Sequence, residues 1–310
     1  MISKTILHMI HDLKTDKTSG ASELIEFALE ILEAYLHTIK DPKKELHMDI
    51  KEDIFELSKE LFNVRPSMAP IINTIGYFIH DLEFFSKQTL LEKFKTFPAE
   101  RLRIDKALTS SFHSFLERFE GKKLNVMLIS YSTTIIKHLK ENTKNDFTFY
   151  VLESRPLFEG RRTAEILSSN FETHLITDSA MGKFIKKVDI VLLGIDSILR
   201  DGSIVNKIGS YPLACIAAAN NKDVYAVGDS FKYNLKSHYN QKIIIETKPI
   251  YEVYCKKIKK ELFKVHNFYF DITPSNYFKE IISDLGILTT PEFLENVKST
   301  LPLEWFKSFI

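Results

Sequence analysis

The sequence predicts an α/β protein in which a helical N-terminal segment precedes a mainly parallel, doubly wound β-sheet. Two observations carry this prediction. Apolar residues recur at three-and-four spacing through roughly the first 120 residues, which is the period of amphipathic helices. After Gly121, short apolar runs alternate with helical patterns at intervals of roughly 25 residues, as in parallel sheets with crossover helices. We therefore expect a helical domain over residues 1–120 and an α/β domain over residues 121–310.

The helical half contains four segments with the helical period. The strongest pattern covers Ser22–His37, where Ser22 is a suitable N-cap residue. The pattern continues more weakly in Asp49–Phe62 and then in Met68–Phe85 and Ser86–Phe119. The last two segments carry many aromatic residues, and at helical spacing we expect most of them to lie in the core.

Six short apolar runs in the second half are predicted to be strands: Leu124–Ile129, Phe147–Leu152, His174–Ile176, Ile190–Leu193, Val224–Val227 and Phe268–Asp271. The helical patterns between them cover Ile135–Glu141, Arg161–Ser168, Met181–Lys187 and Leu213–Ala219. Right-handed crossovers bring the carboxyl ends of parallel strands to one edge of a sheet. We therefore expect the residues that follow these strands to lie close together.

The composition narrows the class of protein. Lys and Arg total 42 against 41 Asp and Glu, so the chain has no overall electrostatic reason to bind nucleic acid. Its 2 cysteines are too few for a disulfide framework or a cysteine-rich zinc module, and they suit a reducing cytosol. No apolar run approaches the ~20 residues of a membrane span, and charged residues interrupt the N-terminus, which argues against a signal peptide. We expect a cytoplasmic protein with neither a membrane nor a nucleic acid as partner.

Asp196 is the sharpest single candidate for chemistry. It stands just past the apolar run Ile190–Leu193, at the carboxyl end of a predicted buried strand. That edge of an open α/β sheet is where ligands bind. A carboxyl group there can have a raised pKa and act as an acid or base, or it can simply cap the next turn. Lys232 follows the neighbouring run Val224–Val227 and would face the same edge.

A second group of polar residues precedes the predicted helix Leu213–Ala219. Asn206 and Lys207 are followed there by Gly209 and Ser210. A helix N-terminus supplied with glycine, serine and lysine favours an anion, most simply a phosphate. We expect Lys207, as a strand-end lysine, to be mostly solvated. The alternative is that both turns are ordinary connections with solvated charges.

The remaining motifs are absent or ambiguous. Neither GxGxxG nor GxxxxGK[ST] occurs, and the histidines lack the HExxH spacing, so we expect no cofactor and no metal site. Arg155, Arg161 and Arg162 could clamp a phosphate or carboxylate bidentately, or they could form ion pairs at the start of a helix. Cys215 lies within an apolar run, and we expect a core residue rather than a nucleophile.

Ten segments along nearly the whole chain together carry a family pattern. In chain order they are Gly20–Ser22, Val64–Ala69, Ile129–Ser132, Glu153–Thr163, Thr177–Gly182, Gly194–Asp196, Asp201–Gly209, Asp229–Lys232, Phe270–Pro274 and Asp284–Gly286. The pattern resembles the α/β/δ regulatory subunits of translation initiation factor 2B. That superfamily also includes methylthioribose-1-phosphate isomerase and ribose-1,5-bisphosphate isomerase. The resemblance implies a helical N-terminal domain on a Rossmann-like C-terminal domain.

The resemblance also bears on catalysis. The isomerases of the superfamily use a cysteine at the end of the first C-terminal strand together with an aspartate after a GxD motif. The aspartate is kept here as Asp196, whereas the cysteine position matches Ser130, and Ser19 stands where the isomerases tend to have arginine. A serine hydroxyl is a far weaker acid than a thiol. The resemblance therefore favours an initiation factor 2B α-like regulatory subunit without turnover. The alternative is a ribose-1,5-bisphosphate isomerase-like enzyme with Asp196 and Ser130 as catalytic residues.

Under either function the resemblance implies a pocket for a sugar phosphate or a nucleoside monophosphate. The residues that would hold this ligand are Gly20, Ala21, Arg65, Arg155, Arg161, Asn206, Lys207 and Lys232. The implied protein partners are translation initiation factor 2 and related 2B-type subunits of a guanine nucleotide exchange complex. A homodimer through the C-terminal domain is implied as well.

Overall fold

The structure, a computed structural model, describes residues 2–16, 21–39, 48–64, 68–81, 86–141, 145–256 and 263–309. Its helices are α1 Lys4–Thr15, α2 Ala21–Thr38, α3 Met48–Val64, α4 Ala69–Ile79, α5 Lys87–Glu117, α6 Thr133–Glu141, α7 Glu159–Leu167, α8 Met181–Phe184, α9 Ser210–Ala219, α10 Leu235–His238 and α11 Thr290–Thr300. Its strands are β1 Lys123–Leu128, β2 Asp146–Leu152, β3 Glu172–Ile176, β4 Ile190–Gly194, β5 Ser197–Ile198, β6 Ile204–Lys207, β7 Asp223–Val227, β8 Phe270–Thr273, β9 Glu280–Ser283 and β10 Gly286–Leu288. N-terminal helices followed by a mostly parallel sheet confirm the predicted fold class.

Helix α5 links the two halves of the molecule. It begins after Ser86, whose hydroxyl accepts a hydrogen bond from the backbone N–H of Thr89 at 3.2 Å, and it runs for 31 residues. Apolar residues of its first half, such as Leu90 and Phe97, pack into the core formed by the N-terminal helices. Residues of its second half, such as Phe112, pack instead against one face of the sheet. One amphipathic helix thus contributes side chains to the core of the N-terminal helices and to the core on one face of the sheet.

The main sheet has seven strands in the order β10-β9-β7-β4-β1-β2-β3. All neighbouring pairs are parallel except β10 with β9. The chain builds outward from β1 through β2 to β3, then returns to the other side of β1 to lay down β4, β7 and β9. The strand order therefore reverses between β1 and β4, and the crevice at such a reversal is the usual ligand site of an open α/β sheet.

A second, three-stranded antiparallel sheet, β5-β6-β8, lies outside the main sheet. The last predicted strand, Phe268–Asp271, is found as β8, shifted to Phe270–Thr273, and it pairs with β6. The sequence analysis did not identify β9, β10 or α11. These strands are only three or four residues long, too short to show a period. Helix α4 also ends at Ile79, before the predicted end at Phe85, which lies outside the described residues.

Residues near the end of the chain complete the core of the N-terminal helices. The indole ring of Trp305 lies so close to Gly76 that a Cβ atom on that glycine would overlap the ring. Phe306 is buried in the same core, and the Phe309 ring stacks on Phe55 with 4.2 Å between ring centroids. The domain boundary near residue 120 stays a prediction, because the helical core takes part of its side chains from beyond it.

Asn73 of α4 ties the helices to the turn that follows β7. Its side-chain nitrogen donates hydrogen bonds to the carbonyl oxygens of Phe231 and Tyr233, each at 2.6 Å. At the start of the same helix, the backbone N–H of Ala69 donates to the hydroxyl of Ser197 on β5 at 2.9 Å. Asn73 is buried, so these bonds replace water that the three polar groups would otherwise need.

We expect Asn73→Ala to lower the free energy of unfolding by about 2–4 kcal/mol. The change removes two hydrogen bonds and leaves two buried carbonyl oxygens without a partner, and each such loss costs about 1–3 kcal/mol. Urea denaturation followed by circular dichroism measures the effect. Asn220→Ala is the matched control, since that half-buried amide donates only to Ile216 within its own helix, and it should cost about 1 kcal/mol or less. Equal losses in both variants would contradict the assigned role.

Candidate functional site

A cavity of about 270 Å³ opens at the reversal of strand order, between the carboxyl edge of the main sheet and the helical half. Its lining includes five of the residues predicted from the sequence: Ser130, Asp196, Asn206, Lys207 and Lys232. They come from the segments that follow β1, β4 and β7 and from β6 itself. The crossover rule accounts for Ser130, Asp196 and Lys232, which follow strands of the main sheet, but not for Asn206 and Lys207, which lie on β6 of the small sheet. The binding role of all five stays a prediction.

Asp196 lies just past the carboxyl end of β4, where a hydrogen bond holds its backbone. The backbone N–H donates to the carbonyl oxygen of Val205 at 2.9 Å. Within the described part of the chain, the carboxyl group makes no hydrogen bond or ion pair. Burial raises its pKa above the ordinary aspartate value, and the charges of Lys232 and Lys207 only partly oppose this shift. The group thus retains its proton to a higher pH than an exposed aspartate would.

Lys207 is buried, so the expectation of a solvated lysine is wrong. It is 3% exposed, and its Nζ donates to Oε1 of Glu159 at 2.8 Å. The residue ends β6, the middle strand of the small sheet, and the ring of Tyr269 lies 5.5 Å from Nζ. The second oxygen of Glu159, Oε2, is buried and has no hydrogen-bond partner among the described residues. The charge of Lys207 is therefore already balanced by the protein.

Asn206 is also buried, and its side-chain nitrogen already makes a hydrogen bond within the protein. Its side-chain nitrogen donates to the hydroxyl of Ser210 at 2.9 Å, and that hydroxyl donates to the carbonyl oxygen of Lys207 at 2.7 Å. A Cβ atom on Gly194 would stand in ordinary contact with Oδ1 of Asn206 at 3.6 Å, but tightly against the side chain of Ser132 at 3.3 Å. The amide oxygen is the part of Asn206 that stays available to a ligand.

At the start of α9, the backbone N–H groups already bind a carboxyl group of the protein, that of Asp271. Gly209 adopts φ of 103°, and its N–H donates to Oδ2 of Asp271 at 2.8 Å. The N–H of Tyr211 donates to the same oxygen at 3.2 Å. Burial raises the pKa of Asp271 to about 6, although both backbone donors lower it. The phosphate that the sequence favoured at this helix N-terminus would have to compete with Asp271.

Ser130 follows β1 in a left-handed conformation with φ of 68°. Its backbone is held at both ends: the N–H donates to the hydroxyl of Ser154 at 2.7 Å, and the carbonyl accepts from the hydroxyl of Thr163 at 2.7 Å. The Ser130 hydroxyl makes no hydrogen bond to any described residue. Neither Cys215 nor Cys255 lines the cavity. Among the described residues, the cavity therefore contains no thiol, and no base is hydrogen-bonded to the Ser130 hydroxyl.

Arg155 and Arg161 do not line the cavity. Both guanidinium groups lie over the ring of Phe158, at 4.8 and 3.9 Å from its centroid. Arg161 also pairs with Glu153 at 3.1 Å, and Arg155 donates to the carbonyl oxygen of Glu252 at 3.2 Å. Arg161 thus forms an ion pair near a helix start, which is the alternative considered from the sequence, whereas the partner of Arg155 is a backbone carbonyl oxygen.

Three predicted ligand residues cannot be placed. Gly20 and Arg65 lie outside the described residues, and so does the side chain of Ala21.

Comparison with known proteins identifies the family. Residues 17–290 match the Initiation factor 2 subunit family. The chain belongs to this family.

Relatives in the family carry different names. A translation initiation factor eIF-2B subunit 2-like protein of Pyrococcus furiosus is 26% identical over 94% of this chain and 99% of its own length. A ribose 1,5-bisphosphate isomerase of Archaeoglobus fulgidus is also 26% identical, over 91% of this chain and 89% of its own length. The family assignment therefore rests on the match of residues 17–290, and these relatives include both initiation factor subunits and isomerases.

A solved structure supports the fold. The translation initiation factor eIF-2B of Pyrococcus horikoshii superposes with a TM-score of 0.76 over 94% of this chain and 100% of that chain, at 24% identity. At this identity the likeness supports the fold alone.

Five charged residues of this initiation factor 2 family chain line the cavity without having been predicted as site residues: Asp16, Arg101, Asp105, Glu159 and Asp229. Glu159 falls inside a motif segment that the sequence analysis did single out, so that segment was the available signal. Arg101 lies in the middle of α5, more than a hundred residues before its partner Asp229. Nothing local in the sequence could have joined those two.

Among the described residues of this family member, no group of three or more His, Cys, Asp or Glu side chains is placed to hold a metal ion. The same residues contain no helix that is both long enough and apolar enough to cross a membrane.

We expect the stability difference between the wild type and Asp271→Asn to depend on pH. The folded protein holds the Asp271 proton up to a pKa of about 6, whereas the unfolded chain releases it near the ordinary value of 3.8. The wild type therefore loses stability relative to Asp271→Asn as the pH rises from 4 to 7, by up to about 3 kcal/mol. Urea denaturation of both proteins at several pH values tests this. A difference that stays constant, or that moves in the opposite direction, would contradict the argument.

Proposed function

We propose that the chain is an initiation factor 2B-type regulatory subunit whose cavity binds a phosphorylated small molecule without turning it over. The observation that carries this proposal is Ser130. It occupies the position that resemblance assigns to the isomerase cysteine, and among the described residues no base contacts its hydroxyl. A serine hydroxyl needs such a base before it can exchange protons near neutral pH. Binding without turnover is the function that fits this cavity.

The cavity is suited to a ligand with one phosphate. Of the cations that line it, Arg101 and Lys207 are paired with carboxylates, whereas Lys232 has no ion pair among the described residues. A phosphate group would therefore lie near Lys232. The free carboxyl group of Asp196 and the amide oxygen of Asn206 would face the hydroxyl groups of the same molecule. These are the polar partners that a sugar phosphate or a nucleoside monophosphate would use.

The proposed protein partners are translation initiation factor 2 and related 2B-type subunits. The support for this is the similarity that runs the full length of the eIF-2B subunit 2-like relative, including the helical half. We also propose that two copies associate through the α/β domain, as the resemblance implies.

Purification of the tagged chain from native lysate tests the partner proposal. We expect initiation factor 2 or a related 2B-type subunit to be recovered with it, in a stoichiometric amount on size-exclusion chromatography. Recovery of the chain without either protein would refute the regulatory role. The same column reports whether two copies associate.

Lys232→Ala tests the ligand proposal. Loss of one charge-assisted contact costs about 1.5–3 kcal/mol, so affinity for ribose 5-phosphate should fall roughly ten- to a hundredfold in calorimetric titration. Lys183→Ala is the matched control, because that exposed lysine does not line the cavity, and its affinity should equal that of the wild type. Lys207→Ala is a poorer choice, since it would leave buried Glu159 unpaired and destabilise the fold.

The second candidate is a sugar-phosphate isomerase, and one observation favours it. Burial raises the pKa of Asp196, which is the direction of shift that favours an acid catalyst. Asp196 would then act as the acid or base, with Ser130 as a weak substitute for the thiol. The assay is conversion of ribose 1,5-bisphosphate to ribulose 1,5-bisphosphate. Turnover by the wild type that Asp196→Asn abolishes and Ser130→Cys increases would establish the enzyme and refute binding without turnover.

A further inference from the structure

A second charged pair lines the cavity where α5 meets the turn after β7. Nη2 of Arg101 donates to Oδ2 of Asp229 at 2.8 Å. The other two polar atoms of the pair, Nη1 of Arg101 and Oδ1 of Asp229, are buried and have no hydrogen-bond partner among the described residues. Asp229 itself is only 9% exposed. A buried donor or acceptor of a charged group that lacks a hydrogen bond lowers the stability of the fold. We therefore expect a ligand group to bind these two atoms.

Both members of the pair are held in place by their neighbours. The guanidinium carbon of Arg101 lies 5.2 Å from the centroid of the Phe231 ring. Asp229 precedes the 3-10 turn Ser230–Lys232, whose last N–H donates back to the Asp229 carbonyl oxygen at 3.0 Å. Ser230 in turn donates through its N–H and its hydroxyl to Asp284, at 2.7 and 2.8 Å. The unpaired donor and acceptor are therefore fixed before any ligand arrives.

The chemistry of the two unpaired atoms selects the partner. A phosphate could accept from Nη1 but would place negative charge against Oδ1. An amine could donate to Oδ1 but would place its positive charge against the guanidinium group. An alcohol satisfies both, because one hydroxyl accepts one hydrogen bond and donates another. Glu159, on the same cavity, presents a further unpaired acceptor oxygen of the same kind.

The charge of the lining points in the same direction. Among the described residues, five carboxyl groups and three cationic side chains line the cavity. A lining with this balance suits a ligand that carries several hydroxyl groups and few phosphates.

We propose that Arg101 and Asp229 form a specificity-determining subsite for a hydroxyl group of a singly phosphorylated sugar. This inference rests on the proposed function, since it concerns the ligand of the same cavity. Asp229 orients the guanidinium group through Nη2, and the hydroxyl bridges Nη1 and Oδ1. Lys232, three residues beyond Asp229, lies on the side of the phosphate.

Calorimetric titration of Asp229→Asn tests the subsite. The asparagine amide can still accept from Nη2 of Arg101 through its oxygen, but its nitrogen then stands where Oδ1 accepts. Affinity for ribose 5-phosphate should fall about tenfold or more, whereas affinity for inorganic phosphate should change by less than about twofold. Asp223→Asn is the matched control at the opposite end of β7, where the carboxylate pairs with Lys279 at 2.7 Å on the surface. It should leave both affinities unchanged.

Arg101→Lys is the second variant, in case Asp229→Asn does not fold. It keeps a cation beside Asp229 but removes Nη1, so the ratio of ribose 5-phosphate affinity to inorganic phosphate affinity should again fall. Thermal denaturation of each variant is measured in parallel. A pair that only ties α5 to the sheet would lower the melting temperature and leave this ratio unchanged, and that result would overturn the subsite.

The remaining outcomes separate this inference from the proposed function. If the wild type binds ribose 5-phosphate and both variants bind it equally well, the subsite is refuted and the proposed cavity function stands. If the wild type binds adenosine monophosphate but not ribose 5-phosphate, the cavity binds a nucleotide. The assignment of Arg101 and Asp229 to a sugar phosphate is then refuted. If the wild type binds none of these phosphate compounds, both proposals fail.

Discussion

The hydrogen bonds from Asn73 to the backbone of the 231–233 turn are the constraint on which the cavity depends. The turn that follows β7 carries Asp229 and Lys232 into the lining of the cavity, and the buried amide of Asn73 holds this turn against α4. The bond from Ala69 to Ser197 and the pair of Arg101 with Asp229 also join the helices to the α/β half. Hydrogen bonds between the two halves thus help to position charged groups that line the cavity.

Two ion pairs line the cavity, and in each pair one carboxylate oxygen has no hydrogen-bond partner among the described residues. Lys207 with Glu159 and Arg101 with Asp229 each join one cation to one carboxylate through a single hydrogen bond. End-on pairing of this kind neutralises charge and keeps one carboxylate oxygen free of protein donors. A bidentate pair would have consumed both oxygens. Under the proposed function, such oxygens would accept hydrogen bonds from the hydroxyl groups of the ligand. The named relatives in the family include both initiation factor subunits and sugar-phosphate isomerases.

The fold class and the sheet edge could be predicted because both follow from local patterns. Apolar runs such as Ile190–Leu193 mark buried strands by themselves, and the handedness of crossovers then places their ends together. The small sheet could not be predicted, since β5 has only two residues and β6 pairs with β8, which lies far along the chain. The burial of Lys207 was missed for the same reason. A lysine is solvated by default, and only the arrival of Glu159 and Tyr269 from elsewhere in the chain makes its burial tolerable. The pairing of Arg101 with Asp229 is likewise a property of the folded chain alone.

The packing of Trp305 against Gly76 has a consequence for synthesis on the ribosome. The N-terminal helices emerge first, and domains generally begin to fold in that order. Yet Gly76 packs against an indole ring that is translated more than two hundred residues later. Until then the nascent helical segment lacks this contact. The core of the N-terminal helices is therefore completed only when the C-terminal segment has been translated.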